Sequence, residues 1–336
     1  MRKILVIACV IFCFKSKAQV DPVKFFSNDT TLQSTLTTDF AKYIRSGQKP
    51  VYLPATFTCT IADSVVSEKV RIMARGNVRR EICYMPPVKI NFHNATSPVL
   101  YPLNSLKLVC ACYQNDLFDQ NILKEYLCYK IYNMLTEKSF NVRLLNLNYE
   151  DVNEKKKTVS EHAFFLEDSK ALAKRNNCEE MKDIKLQSEV TDRKQMTMVA
   201  VFEYMIGNTD WGVSANHNTV LIQPTNDSAS RPYVVPYDFD YSGLVNADYA
   251  IPSEGLGIDN VRQRLYRGFP RTLDELNETF AVFNNQKENI YSMIKNFLPL
   301  SKKNRDDIID YLDEFYKTIN DSRQVKDIFI DHARGN

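Results

Sequence analysis

The period of the hydrophobic pattern changes at residue 116, and this change restricts the fold more than any other feature of the chain. Before it, residues 51–59, 68–73, 88–92 and 106–112 carry β-branched and aromatic side chains between Pro, Asn and Gly punctuation, the pattern of short strands. From Asp116 to Glu137, Leu117, Ile122, Leu123, Tyr126, Leu127, Ile131, Met134 and Leu135 recur at helical spacing. Two further strands are expected over residues 141–148 and 158–166, joined by a charged, solvated tip at 150–157. From Asp192 the pattern turns helical. Asp192 with Gln195 reads as a capping box, Met196, Val199, Phe202, Met205 and Ile206 make the buried stripe, and Gly207-Asn208 makes the stop. Short strands at 219–222 and 233–235 follow. The remainder is helical, with a second capping box at Thr272 and Glu275 and a last long helix capped by Ser301.

Length and charge narrow the class. A chain of 336 residues suits one large domain or one domain in two lobes. Its 43 basic and 41 acidic residues nearly cancel, which removes the electrostatic reason to expect nucleic acid or an anionic membrane as partner. The first residues read as an export signal over 1–18: Arg2 and Lys3, an apolar run from Ile4 to Phe14, then Lys15-Ser16-Lys17-Ala18 with small residues where a signal peptidase cuts. That run is too short to span a bilayer, and no later stretch reads as a membrane span. The expected location is therefore outside the cytoplasm: periplasm, cell surface or medium. Cys59, Cys83, Cys110, Cys112, Cys128 and Cys178 remain after cleavage. Without a Cys-x-x-Cys or a zinc-like histidine spacing, they read as disulfides or buried thiols.

Side chains suited to chemistry concentrate in two segments. One is Gly207-Asn208-Thr209-Asp210-Trp211-Gly212-Val213-Ser214-Ala215-Asn216-His217-Asn218. The other is Val235-Pro236-Tyr237-Asp238-Phe239-Asp240-Tyr241. They flank a hairpin, so their loops can meet. Asp and Asn are hard oxygen ligands suited to Mg²⁺ or Mn²⁺. Phosphoryl transfer needs such an ion on the nucleotide, a carboxylate to position the attacking hydroxyl, and a cation for the phosphates. A carboxylate, then an amide, then a carboxylate beyond a β-turn-β is the order this chemistry uses. The plain readings stand beside it: Asp210, Asn216 and Asn218 as turn formers, Asp238 and Asp240 as backbone caps, Lys89 as a solvated strand lysine, and Arg262, Arg264 and Arg267 as a solvated helix face.

The pattern GNTDW…HN…PYDFD resembles the CotH family of kinase-like proteins and, more distantly, the HipA and FAM20 atypical kinases. Upstream, Arg75-Gly76-Asn77 and Pro87-Val88-Lys89-Ile90-Asn91-Phe92 look like that family's RGN segment and lysine strand. The resemblance spans roughly residues 73–241. It implies an α+β, two-lobed protein-kinase-like fold: a β-rich N-terminal lobe with one main helix (19–185) and a mainly helical C-terminal lobe carrying the catalytic loops (186–336). It implies Asp210 as the catalytic carboxylate, Asn218 (with Asn216 as competitor) and Asp238 as metal ligands, and Lys89, Glu125 and Arg75 at the nucleotide, with Lys107 a rival to Lys89. The cofactors would be Mg²⁺ or Mn²⁺ and ATP, and the acceptor a protein hydroxyl. Two alternatives remain open: an inactive kinase-fold module for surface binding or adhesion, and a hydrolase using Asp210 and Asp238 as an acid/base pair.

Overall fold

The computed structural model describes residues 22–46, 51–76, 79, 83–155, 157–227 and 229–334, with the backbone alone for 22 and 23. The expected export signal lies outside the described residues, as does Asn77. Among the described residues are ten strands and eight α-helices. No described helix is long and apolar enough to cross a membrane.

The first seven strands close into a barrel. β1 (Leu32–Thr38), β2 (Leu53–Ile61), β3 (Ser64–Ala74), β4 (Val88–Asn91), β5 (Ser105–Val109), β6 (Val142–Asp151) and β7 (Val159–Leu166) pair in the order β1-β2-β3-β4-β5-β7-β6. Neighbours run antiparallel, except that β6 lies parallel to β1 and so shuts the ring. Side chains alternate between the two faces of a strand, so every second residue points inward. Leu36, Phe57, Ile72, Ile90, Leu108, Leu147 and Phe165 fill the interior and are almost wholly shielded. Phe57, Phe92 and Phe165 meet at ring separations of 5.6, 5.7 and 6.0 Å.

The expected two-lobed, kinase-like plan is not what the chain adopts. Its strand-rich half is a closed barrel rather than a lobe with one main helix; α1 (Pro22–Phe26), α2 (Phe40–Arg45), α3 (Asp116–Leu135) and α4 (Ser169–Arg175) all belong to it or border it. The cause is β1, which pairs with β2 on one side and β6 on the other, leaving no sheet edge. β6 and β7 likewise join this ring instead of standing apart.

A second core gathers on the barrel's outer side. α3 packs across β7, buried around most of its circumference. With it lie β8 (Cys178–Met181), α5 (Arg193–Ile206), β9 (Thr219–Pro224), β10 (Tyr233–Pro236), α6 (Leu273–Asn296), α7 (Lys302–Ile319) and α8 (Ser322–Lys326). The three short strands form a sheet in the order β10-β9-β8. This core draws on Val109 through Phe329, so it takes residues from both sides of position 185. Thr272 and Glu275 make the full reciprocal capping box of α6. At α5 only half of one forms: Asp192 accepts from the Gln195 amide, while the Gln195 side chain reaches Tyr132 and the Val234 carbonyl. Gly207 ends α5 at φ 67°, a conformation that favours glycine, and a side chain there would collide with the Tyr311 hydroxyl.

Candidate active site

The stop of α5 aims the chain into a tight loop. Gly212 and His217 exchange backbone hydrogen bonds of 2.9 and 3.0 Å across it. Asp210 stands at its base, held from three directions. The Asn208 side chain accepts from the Asp210 amide at 3.0 Å. His217 Nε2 lies 2.8 Å from Asp210 Oδ1. Asn218 Nδ2 donates to Asp210 Oδ2 at 3.0 Å and to its carbonyl at 2.7 Å. Arg267 adds a clamp from behind, donating to the carbonyls of Thr209 and Trp211 on either side of Asp210.

The second loop lies beside the first because β9 and β10 pair. The Tyr237 amide donates to the Asn218 carbonyl at 3.0 Å, which sets Asn218 next to Asp238 in space. Asp238 has a left-handed backbone (φ 66°), and its amide donates to the Tyr129 hydroxyl at 2.8 Å. Its carboxylate makes no hydrogen bond or ion pair with the described residues. Asn216 points away: it is exposed on the loop, and its only described bond is its amide to the Val213 carbonyl. Of the two candidate amides, Asn218 is therefore the one brought to Asp238.

Behind these loops the charge is crowded. Burial, then the Asp238 charge, push the Asp240 carboxyl up to about 6; Arg79 at 3.8 Å and the Tyr249 hydroxyl, donating at 3.1 Å, partly offset this. Glu125 on α3 is more deeply enclosed, and its Oε1 has no hydrogen-bond partner. Burial and the charges of Asp240 and Asp238 push its pKa well above the ordinary carboxyl range, while Arg79 and Arg75 counter. Glu203, beneath the first loop, is likewise raised by burial, with the neighbouring Asn208 side chain partly offsetting the shift.

Facing the acids is the barrel rim at the ends of β3 and β5. Arg75 Nη2 donates to the Leu108 carbonyl at 3.4 Å, and Arg79 Nη2 to the Cys110 carbonyl at 3.2 Å. Lys89 and Lys107 are directly opposed across β4 and β5. It is Lys107 that leans on the second loop, its Nζ 4.8 Å from the Tyr237 ring centre. Crowding by protein and the Arg75 charge lower its pKa, while the Asp238 charge counters. Lys89 makes no side-chain hydrogen bond or ion pair with the described residues.

The sequence singled out the loops but not the supports. The 261–268 stretch is not a helix face; the chain is irregular there. Arg262 bonds Asp307, Arg264 stacks 3.6 Å from the Tyr311 ring centre, and Arg267 grips the Asp210 loop. The Asp210–His217 contact, the Arg79–Asp240 pair and Tyr249 were also missed. Only the seven-residue separation of Asp210 and His217 could have signalled one of them.

Among the described residues no three His, Cys, Asp or Glu side chains gather as a metal site. A divalent ion here would rest on Asn218, Asp238 and oxygens brought by a ligand, which is the sparse protein coordination Mg²⁺ commonly has. No protein-family model matches the chain, and no curated protein is significantly similar to it.

Proposed function

We propose that this chain is a divalent-cation-dependent phosphotransferase that moves a phosphoryl or nucleotidyl group from a nucleotide to a protein hydroxyl. The observation that carries the reading is that Asn218 bonds Asp210 while the Tyr237–Asn218 backbone bond sets Asp238 beside that loop, opposite a basic rim. Asp210, fixed by His217 and Asn218, would orient the acceptor hydroxyl and take its proton. Asn218 and Asp238 would hold Mg²⁺ or Mn²⁺, which when bound neutralises phosphate charge. Lys107, rather than Lys89, would hold the nucleotide phosphates, with Arg75 behind it. Glu125, enclosed behind the loops and making no ion pair with a lysine among the described residues, would serve as part of the site's wall rather than as a partner of Lys89. The loop pattern's resemblance to CotH-like proteins supports the activity; the fold does not enter the reading. The Cys83–Cys112 disulfide supports an oxidising location outside the cytoplasm.

The test is thermal unfolding with millimolar ATP, GTP, CTP or UTP and Mg²⁺ or Mn²⁺. A ligand bound only by the native state raises the melting point by mass action, about 2.7 kcal/mol of stabilisation at a hundred times Kd. A rise that needs metal and nucleotide together, followed by transfer to a protein acceptor, is the expected result. No rise with any pair would overturn the reading and leave a surface-binding module in its place.

A further inference from the structure

The inward positions of β6 are Leu145, Leu147 and Tyr149, all in the barrel core. Two residues before Leu145, the same alternation turns Arg143 inward. Its side chain is only 7% exposed, at the barrel end formed by the starts of β1 and β6 and the end of β2. The candidate active site faces the opposite end, where β3 and β5 finish. Enclosing a cation costs several kcal/mol unless partners replace its water. Arg143 has few: Nη1 donates to the Phe25 carbonyl at 2.9 Å, and the guanidinium lies 5.7 Å from the Phe25 ring centre. Its Nε is buried without a partner, and Nη2 makes no hydrogen bond with the described residues.

Two nearby acids, Asp29 and Glu68, are committed elsewhere. Asp29 binds Lys130 at 2.6 Å. Glu68 accepts from the amides of Thr96 and Ser97 and from the Thr96 hydroxyl. No carboxylate forms a salt bridge with Arg143 among the described residues. In front of it opens a cavity of about 450 Å³. Its wall mixes Phe25, Leu32, Ile61 and Val99 with a polar rim that includes Thr60. An apolar wall with a few placed polar groups is the usual form of a small-molecule site, and here that wall is joined by Lys24, Asn28, Gln33 and Arg143.

We propose that this end of the barrel binds a small apolar monocarboxylate, its carboxylate on the free Nε–Nη2 edge of Arg143 and its tail among Phe25, Leu32, Ile61 and Val99. A guanidinium edge offers two parallel N–H donors, which match a carboxylate's two oxygens. The charged lining residues are two cations, Arg143 and Lys24, and one acid, Asp63, a balance that a single negative charge on the ligand neutralises. The proposal is independent of the phosphotransferase reading.

Calorimetric titration of the full chain with butanoate, hexanoate and octanoate, and with the matching 1-alcohols, tests it. Binding by at least one acid is expected, at least tenfold tighter than by its alcohol, and weakened tenfold or more in Arg143→Gln. Thr60→Trp, on the exposed rim, should block the cavity and remove binding while leaving the melting point nearly unchanged. That variant decides the matter if Arg143→Gln does not fold. No binding of any acid by the wild type would overturn the proposal. So would acid binding that Thr60→Trp and a folded Arg143→Gln leave intact.

Discussion

Inside the barrel, Glu68 accepts three hydrogen bonds from Thr96 and Ser97, and Glu161 accepts one from the Tyr149 hydroxyl at 2.8 Å. Around the acidic loops, Glu125 Oε1, Asn121 Oδ1 and the Trp211 indole Nε1 are buried without a partner. Both regions bury polar groups, yet they treat them differently. A buried polar atom without a partner costs about 1–3 kcal/mol, so a fold selected only for stability would not collect several in one place. The barrel is the region whose polar groups are mostly closed off, Arg143 and the rim residue Arg75 excepted. The loop region keeps charge and polarity in reserve, as a site that completes itself with a ligand does.

The sharpest way to break this contrast is to alter each region and see which property responds. Asp238→Asn should lower phosphoryl transfer by about a thousandfold or more, roughly 4 kcal/mol, with the melting point nearly unmoved. A rate assay beside a thermal scan checks this, and a small loss would mean the loops are not the catalytic region. Phe57→Ala should do the reverse. It empties the wholly buried centre of the barrel and should cost about 3–5 kcal/mol in urea unfolding, leaving any metal affinity unchanged.

The next effect is a pH dependence. Asp240 has a folded pKa near 6 against 3.8 in a free chain, so the folded state holds the extra proton between these values. Stability from this group is therefore greatest at low pH and falls as pH rises from about 4 to 6, by roughly 2 kcal/mol. Asp240→Asn should flatten that slope in unfolding measured from pH 4 to 7. Mg²⁺ or Mn²⁺ with nucleotide should stabilise the wild type more at pH 7 than at pH 5, because a bound cation favours the ionised carboxyls.

Smaller still is the difference between two lysines. Lys107→Met should raise the KM for nucleotide about tenfold, near 1.4 kcal/mol, while Lys89→Met should change it less than twofold. The smallest effect sharpens the account most finely. Glu125→Gln should leave stability at pH 7 within about 0.5 kcal/mol, because burial and the Asp240 and Asp238 charges disfavour the ionised carboxyl. A charged Glu125 paired to arginine would instead cost several kcal/mol to neutralise.

Strand positions were legible where local pattern decides them. The stretch read as 88–92 is β4 over Val88–Asn91, and that read as 158–166 is β7 over Val159–Leu166. Ring closure was not. β1 reads Leu-Gln-Ser-Thr-Leu-Thr-Thr, with only two apolar residues at an interval of four, and its parallel partner lies more than a hundred residues away. Nothing local reports such a pairing. The same limit shows at the site. Asp210 and Asn218 share one loop, so their meeting follows from short spacing and turn-forming residues. Lys89 and Lys107 occupy equivalent outward positions on adjacent strands, and only the placement of Tyr237 separates them. Arg79 and Asp240 are brought together by the whole fold.

The central claim is that two loops close on one divalent cation. Calorimetry of Mn²⁺ binding in the presence of a non-hydrolysable ATP analogue measures it most directly, comparing wild type with Asp238→Asn and Asn218→Ala. The account predicts one saturable Mn²⁺ site in the wild type, weakened at least thirtyfold by either substitution. Absence of the site, or equal affinity in all three proteins, would contradict it.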